Sequence, residues 1–144
     1  MTLKIKNIYS FKKKNKIKFP LYISSIKAGF PSPADDYIEK NLDLNEFLIK
    51  HPSATFFLKV EGDSMIDAGI HSGDILIVDR SLEPKNNKII IAALDGELTV
   101  KRIKKYKDKL FLIPENDKYN PIEITKDMDF SIWGIVTYVI HPVD

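Results

Sequence analysis

Two residues in this chain could together carry out acyl-transfer chemistry, Ser64 and Lys101. Ser64 lies in the segment Gly62-Asp63-Ser64-Met65, directly after an apolar stretch at residues 55–60 that predicts a β-strand. The glycine permits a sharp turn, because glycine adopts backbone conformations that other residues avoid. The serine hydroxyl is therefore expected to project from a junction between a strand and a turn.

A serine hydroxyl is a poor nucleophile unless a base removes its proton, and the usual base is histidine. No histidine here stands in a recognisable triad motif, but a neutral lysine can take the same role. Half of a lysine population is neutral at pH 7 only if burial lowers its pKa from about 10.4 to about 7, a shift that apolar surroundings can supply. Lys101 follows Leu98, Thr99 and Val100 on a predicted hairpin strand. The backbone N–H groups of Ser64 and Met65 are candidate donors to the oxyanion.

Both residues also have a purely structural interpretation. A Gly-Asp-Ser segment is common in turns for backbone reasons alone. Lys101 belongs to Lys101-Arg102-Ile103-Lys104-Lys105, which by itself is typical of a solvated strand edge. Strand alternation does not decide whether Lys101 or Arg102 faces the interior. The residues alone therefore predict a β-rich domain with a basic arm.

Composition limits the class of protein. The chain has 144 residues, 44% of them hydrophobic, which suits one domain with an ordinary core and a tail. The absence of cysteine excludes disulfides and thiolate metal sites. The three histidines, His51, His71 and His141, are scattered along the sequence, so we expect no metal site and no cofactor. The sequence contains neither a run of about twenty apolar residues nor a secretory signal, so we expect a cytoplasmic protein without a membrane segment.

Charge is divided unevenly along the chain. The first 27 residues contain eight lysines and no acidic residue, which leaves 14 basic and 20 acidic residues in the remainder. This division suggests a basic arm on an acidic body. The arm could lie on its own body, on nucleic acid or on an acidic partner, or it could be a solvated tail. Its loose alternation of apolar residues and lysines also suits an edge strand, if the arm docks.

A linker and a helix follow the arm. Residues 28–34 are mostly small and include two prolines, which predicts an extended segment. Asp43 and Glu46 form a capping-box pattern that predicts the start of a helix. That helix should end near His51, because Pro52 cannot continue it.

The remainder of the chain is rich in β signals. Asp95-Gly96 is a strong hairpin signal, and Trp133-Gly134 is a candidate bend. The predicted strands are residues 55–60, 75–78, 88–94, 97–103, 110–113 and 130–140, and the second of these is expected to be buried on both faces. We therefore predict a compact, mostly antiparallel β fold with one short helix and a flexible N-terminal arm.

These segments resemble the LexA/UmuD family of self-cleaving serine peptidases. The resemblance rests on Gly62-Asp63-Ser64-Met65, on Gly73-Asp74 before an apolar strand, and on Asp95-Gly96-Glu97 with Thr99-Val100-Lys101. It covers roughly residues 28–139 and is closest to the UmuD branch. The segments typical of that branch are Gly29-Phe30-Pro31-Ser32-Pro33-Ala34, Asp43-Leu44-Asn45, His51-Pro52-Ser53-Ala54-Thr55, Leu112-Ile113-Pro114 with Asn116, and Tyr119-Asn120-Pro121-Ile122.

The resemblance implies a LexA-like and signal-peptidase-like fold and roles for particular residues. Ser64 corresponds to the family nucleophile and Lys101 to the family general base. The Ala28–Gly29 bond corresponds to the self-cleavage site. It divides a basic arm, residues 1–28, from a peptidase and dimerisation domain, residues 29–144. The UmuD branch often has cysteine before the cut, where this chain has Ala28, as LexA-type repressors do.

The resemblance also implies a function in the SOS response. UmuD-like proteins are homodimers whose self-cleavage is stimulated after DNA damage by RecA filaments on single-stranded DNA. The shortened dimer then serves as an accessory subunit of UmuC, a Y-family DNA polymerase for mutagenic translesion synthesis. Replicative polymerase subunits are further candidate partners.

Three alternatives to this function can be stated from the sequence. A LexA- or phage-type repressor needs a DNA-recognition helix ahead of the peptidase, and the first 28 residues are too few to hold that domain. A type I signal peptidase also places serine before methionine and uses lysine, but it needs a membrane anchor, which hydropathy does not show. A non-catalytic polymerase subunit or inhibitor would carry the same two residues as an idle dyad.

Overall fold

The structure is a computed structural model, and it describes residues 4–10, 18–22 and 38–144. These residues form two units, one of residues 4–10 and 51–144 and the other of residues 18–22 and 38–50. The elements in chain order are β1 (Lys4–Ser10), β2 (Lys18–Tyr22), β3 (Ile38–Asp43), α1 (Leu44–Leu48), a 3₁₀ turn (Pro52–Ala54), β4 (Thr55–Glu61), a second 3₁₀ turn (Ile66–Ala68), β5 (Ile75–Asp79), β6 (Ile89–Leu94), β7 (Glu97–Tyr106), β8 (Lys109–Ile113), β9 (Ile122–Ile124) and β10 (Phe130–Ile140).

The smaller unit contains β2 and β3 as an antiparallel pair, and α1 follows β3 directly. Asp43 ends β3 and is the N-cap of α1, where its side chain accepts a hydrogen bond from the backbone N–H of Asn45 at 2.9 Å. This contact satisfies one of the N–H groups that have no partner within the first helical turn. The predicted helix start at Asp43 is confirmed, and the helix ends at Leu48, ahead of Pro52.

The larger unit is built on one antiparallel sheet with the strand order β1-β4-β5-β10-β6-β7-β8-β9. β1 also contacts β7, although four strands separate them in this order. The sheet is therefore strongly coiled, in keeping with the twist that accumulates between neighbouring strands. The prediction of a mostly antiparallel β fold with one short α-helix is confirmed.

Alternate residues of a strand point to opposite faces of the sheet. Buried apolar side chains are present on both faces. Within β5, Leu76, Ile77 and Val78 are all buried, as expected for a strand enclosed on both sides. One core cluster contains Leu58, Val60, Met65, Ile70, Leu76, Val78, Ile91 and Val100. The other contains Ile90, Ala92, Ile103, Leu112 and Ile135. The first cluster includes Met65, the residue directly after Ser64.

The β6–β7 hairpin forms at the predicted turn. Leu94 pairs with Glu97, and between them Asp95 has φ 50° and Gly96 has φ 85°. Two consecutive residues with positive φ are typical of the tight turn whose twist matches that of its strands, and Asp-Gly is a preferred sequence for it. The turn sets the register of β7, the strand that carries Lys101.

β10 is bent where its sequence contains Trp133-Gly134. Its register with β6 shifts between Ile132 and Gly134, which confirms the predicted bend. A Cβ atom on Gly134 would lie 2.7 Å from Val78 Cγ1 and 3.2 Å from the carbonyl oxygen of Asp79. Glycine at this position therefore allows β10 to lie close against β5.

The structure adds elements that the sequence did not predict. The three-residue strand β9 and the strand β3 were not anticipated, and β7 extends three residues beyond its predicted end. Residues 4–10 of the basic arm form β1 at one edge of the sheet, the docked arrangement that their alternation suits. Among the described residues, no helix has the length and apolar character needed to cross a membrane.

Replacing Gly134 with alanine should lower the free energy of unfolding by about 1–3 kcal/mol, because the added methyl group must displace Val78 or the backbone of Asp79. Urea unfolding followed by circular dichroism measures the change. Ser131→Ala, at an exposed position of the same strand, is the control and should change stability by less than about 0.5 kcal/mol. Equal stability of the two variants would show that β10 can move away from β5 without penalty.

Candidate functional site

The coiled sheet brings Ser64 and Lys101 together. Ser64 follows β4 and Lys101 lies on β7, and these two strands are four positions apart in the sheet. In a flat sheet, four strand spacings would separate them by about 19 Å. The observed distance between Lys101 Nζ and Ser64 Oγ is 3.2 Å. The contact therefore depends on the curvature of the whole sheet as well as on the two local segments.

The structure decides which of two neighbouring basic residues faces the interior. Lys101 is 2% exposed, although it lies in a basic segment that was compatible with a solvated edge. Arg102 is on the outer side, where its guanidinium pairs with the carboxylate of Glu115 and donates to the carbonyl oxygen of Asn87 at 2.6 Å. The next basic residue, Lys104, is exposed.

Burial lowers the pKa of Lys101 from 10.5 to about 8. The physical cause is desolvation, because the charged ammonium loses more hydration free energy than the neutral amine when it is enclosed. With a pKa of about 8, roughly one lysine in ten is neutral at pH 7. The side chain thus provides a usable fraction of free base near neutral pH.

The partners of Lys101 can accept from the three N–H groups of the charged ammonium, and they also suit the neutral amine. Its Nζ lies 2.8 Å from Thr99 Oγ1, 3.1 Å from the carbonyl oxygen of Val100 and 3.2 Å from Ser64 Oγ. A neutral amine has two N–H bonds and one lone pair. The two N–H groups can be donated to Thr99 and Val100, which leaves the lone pair for the hydroxyl proton of Ser64. This is the arrangement that general-base activation of a serine requires.

Ser64 is held in a turn whose geometry follows from its sequence. Gly62 has φ 112°, in the region that favours glycine, and the 3₁₀ turn Ile66–Ala68 begins two residues after Ser64. Between them, Met65 is fully buried in the core. The side chain of Met65 therefore anchors the turn while Ser64 Oγ is directed toward β7.

A segment downstream of β8 fixes the other side of this turn. The backbone N–H of Glu115 donates to the carbonyl oxygen of Ser64, and the carbonyl oxygen of Glu115 accepts from Asp67, both at 2.8 Å. Asn116 Nδ2 donates to the carbonyl oxygen of Asp63 at 2.9 Å, and the Tyr119 hydroxyl donates to Asp63 Oδ1 at 2.6 Å. The hydrogen bond from Tyr119 lowers the pKa of Asp63 below its usual value.

Reasoning from residue chemistry did not assign roles to Thr99, Asp63, Asn116 or Tyr119. Asp63 meets Asn116 and Tyr119 across more than fifty residues of sequence, and no local pattern indicates such contacts. Thr99 contacts Lys101 two residues away on the same strand. The available signal was that Asp63 and Thr99 stood in segments that resemble the LexA/UmuD family, and that Asn116 and Tyr119 stood in segments that resemble its UmuD branch. The two residues of the expected cleavage site, Ala28 and Gly29, lie outside the described residues.

Two of the three histidines, which are scattered along the sequence, lie together in the fold. His51 is alone with one carboxylate, with its Nδ1 2.6 Å from Asp79 Oδ2. His71 and His141, by contrast, stack on each other with ring centroids 4.5 Å apart, and their Nδ1 atoms lie 3.8 Å and 2.5 Å from carboxylate oxygens of the buried Asp74. A separation of seventy residues in sequence hid this contact, because β5 and β10 bring the two segments side by side.

Comparison with known proteins extends these observations. The chain matches the Peptidase S24-like family over residues 20–137. It is 45% identical over 122 residues to protein SamA of Salmonella typhimurium, covering 85% of this chain and 84% of that protein. It is 44% identical over 127 residues to protein MucA of Escherichia coli, covering 86% of each. It is 38% identical over 128 residues to the LexA repressor of Stenotrophomonas maltophilia, covering 89% of this chain and 60% of the repressor.

The family match covers most of the chain, and the alignments to SamA and MucA include more than four fifths of both proteins. The resemblance that the Gly62-Asp63-Ser64-Met65 and Thr99-Val100-Lys101 segments suggested is therefore confirmed. The chain belongs to the Peptidase S24-like family.

Proposed function

We propose that this protein is a UmuD-like, self-cleaving serine endopeptidase of the SOS response. Ser64 attacks the Ala28–Gly29 bond with Lys101 as general base, and RecA filaments on single-stranded DNA stimulate the reaction. The observation that carries the proposal is the buried 3.2 Å contact between Lys101 Nζ and Ser64 Oγ. A pKa of about 8 for Lys101 supports it, because the base is then available near neutral pH.

The proposed reaction proceeds in two stages. In the first, Ser64 Oγ bonds to the carbonyl carbon of Ala28 as Lys101 Nζ takes the hydroxyl proton. The backbone N–H groups of Ser64 and Met65 donate to the oxyanion that forms. The bond from Ala28 to the nitrogen of Gly29 then breaks, and Nζ returns its proton to the new amine. In the second stage, water hydrolyses the acyl-serine and Lys101 again acts as the base.

Residues 28–34 have the composition that a narrow cleft would accept. Ala28 and Gly29 present little side-chain volume on either side of the bond, and the nearby prolines favour an extended backbone. Cleavage there would separate the arm, residues 1–28, from the peptidase and dimerisation domain, residues 29–144.

The proposed role after cleavage is that of an accessory subunit. The shortened homodimer joins a UmuC-like Y-family polymerase in the cytoplasm for translesion synthesis, and replicative polymerase subunits are further partners. The comparisons favour a UmuD-like protein over a LexA-type repressor. The identity to SamA and MucA is 45% and 44%, against 38% to the LexA repressor.

The first test is intact mass spectrometry of the purified protein at pH 7 and at about pH 10. The neutral fraction of Lys101 rises as the pH passes through its pKa of about 8, so self-cleavage should be about tenfold faster at the higher pH. The expected product is a fragment that begins at Gly29. Ser64→Ala should give none at either pH. If the wild-type chain also stays intact when RecA filaments are added, the idle-dyad interpretation replaces this one.

The second test separates the lysine's protonation from its catalytic role. In a Ser64→Ala background, Lys101→Met should raise the free energy of unfolding at pH 7 by about 1–3 kcal/mol, because it removes a buried group that folding forces toward its neutral form. The folded-state pKa of about 8 lies below the unfolded value of 10.5, so the unfolded chain binds more protons between these values. The stability penalty from Lys101 is therefore complete below pH 8 and fades as the pH rises toward 10.5, and the advantage of the methionine fades with it.

Urea unfolding at pH 7 and pH 10 measures this difference. Lys104→Met is the matched control, because Lys104 is exposed on the same strand. A stability gain for Lys101→Met that is the same at both pH values would contradict a lowered pKa. In the otherwise wild-type protein, Lys101→Ala should abolish self-cleavage and mutagenesis together, whereas an idle dyad would leave mutagenesis unaffected.

The third test concerns the arm. β1 contributes part of the arm to the sheet edge, with Lys4 opposite Glu61, so the arm covers the free edge of β4 and places a basic residue beside an acidic one. Deleting residues 1–28 should therefore change affinity for a UmuC-like polymerase, and the change should shrink at high salt if charge contributes. Titration of the polymerase with full-length Ser64→Ala protein and with the truncated protein, at low and high salt, measures this. Equal affinities at both salt concentrations would mean that the arm masks no binding surface.

A further inference from the structure

We infer that His71, Asp74 and His141 form a binding site for a divalent transition-metal ion of the zinc class. The proposal does not depend on peptidase activity, since the cluster includes neither Ser64 nor Lys101. Their ligand atoms, two imidazole nitrogens and a carboxylate oxygen, all lie within 4.8 Å of one another.

The backbone holds the three residues in this arrangement. Ile75, the first residue of β5, pairs with Ile140, the last residue of β10. The register therefore places Asp74 and His141 side by side, each one residue beyond the paired strand ends. His71 belongs to the turn before β5, in which the N–H of Asp74 donates to the carbonyl oxygen of His71 at 3.0 Å and the N–H of Gly73 donates to Val60 at 2.8 Å.

Asp74 is the buried centre of the cluster. Its residue is 1% exposed, and its Oδ2 accepts a hydrogen bond from the backbone N–H of His71 at 2.7 Å. Its Oδ1 lies 2.5 Å from His141 Nδ1. The carboxylate thus has a fixed orientation, as the ligating carboxylates of metal sites do when a second hydrogen bond holds them.

The two imidazoles have a shape and polarity that a metal ion would satisfy. His71 Nδ1 is buried without a hydrogen-bond partner, and it lies 3.8 Å from Asp74 Oδ2, too far for a hydrogen bond. A buried nitrogen without a partner is uncommon and calls for an explanation. The rings stack at an interplanar angle of 31°, with the Nδ1 atom of each near the Asp74 carboxylate. Two imidazoles so placed can direct lone pairs to one cation.

The donor set selects the class of ion. Two nitrogens and one oxygen suit Zn²⁺ and its neighbours, whereas Mg²⁺ and Ca²⁺ prefer oxygen ligands alone. Bond lengths to such an ion are about 2.0–2.2 Å. Because the side chains of His71 and His141 are 43% and 45% exposed, their rings have room to rotate toward it.

Three protein ligands leave one position of a tetrahedral ion for water or another ligand. The ion would cross-link the end of β10 to the turn before β5.

The test is calorimetric titration with zinc chloride at pH 7.5, using untagged full-length Ser64→Ala protein that has been stripped with a chelator. The proposal requires one zinc ion per chain. It also requires zinc at about one hundred times its dissociation constant to raise the melting temperature by roughly 8 °C. His71→Ala and His141→Ala should each weaken binding by at least about tenfold. Lowering the pH to 5.5 should also weaken binding, because protonated histidine cannot act as a ligand.

His51→Ala is the matched control, because His51 also contacts one buried carboxylate but has no second histidine beside it. Melting curves of the metal-free variants show that each is folded before it is titrated. The inference fails if zinc does not bind, if both cluster variants bind zinc as tightly as the parent, or if His51→Ala weakens binding equally. Because every protein in this test carries Ser64→Ala, its outcome is independent of whether the chain cleaves itself.

Discussion

Enclosing an amine next to a serine hydroxyl is the constraint that the rest of this structure serves. An ammonium group is poorly tolerated in apolar surroundings, and folding the chain around Lys101 lowers its pKa to about 8. The enclosed amine is acceptable only because Thr99, Val100 and Ser64 supply partners for it. The same enclosure requires the sheet to coil until β7 approaches the end of β4. The burial that makes Lys101 available as a base therefore also lowers the stability of the fold at neutral pH.

The serine side of this contact is held by two independent segments. The turn before β5 bonds to Val60 from one side, and the segment containing Glu115 bonds to Ser64 from the other. Met65 is fully buried beneath them. A hydroxyl at a turn would ordinarily be mobile, and these contacts limit its positions before any substrate arrives. Preorganisation of this kind would favour the proposed reaction, because less reorganisation is then needed during it.

Much of the fold could be predicted from local patterns. The Asp95-Gly96 turn, the N-cap at Asp43 and the bend at Trp133-Gly134 are each encoded within a few residues, and all three are present. What could not be predicted depends on the order of strands in space. Alternation could not decide between Lys101 and Arg102, because that choice depends on which face of β7 turns toward β4.

The same limit applies to the histidines and to the segment that supports Ser64. Asp63 and Tyr119 are fifty-six residues apart in the sequence and meet at 2.6 Å. His71 and His141 meet because β5 and β10 are neighbours in the sheet, and no local pattern in the sequence indicates that pairing. The family resemblance favoured a contact between Ser64 and Lys101. The residues alone were also compatible with a turn at Ser64 and a solvated strand edge at Lys101.

The tight turn at Asp95-Gly96 has a consequence for the kinds of sequence change that this chain can accept. Side chains on β7 alternate between faces, and the turn fixes Lys101 opposite Ile90. Deleting or inserting a single residue between the turn and Lys101 would exchange the two faces and send the amine outward. A change of two residues would restore the face but move the amine by about 7 Å along the strand. The position of the Lys101 amine therefore depends on whether the number of residues between the turn and Lys101 is even or odd. The length of this segment matters as much as its residue types.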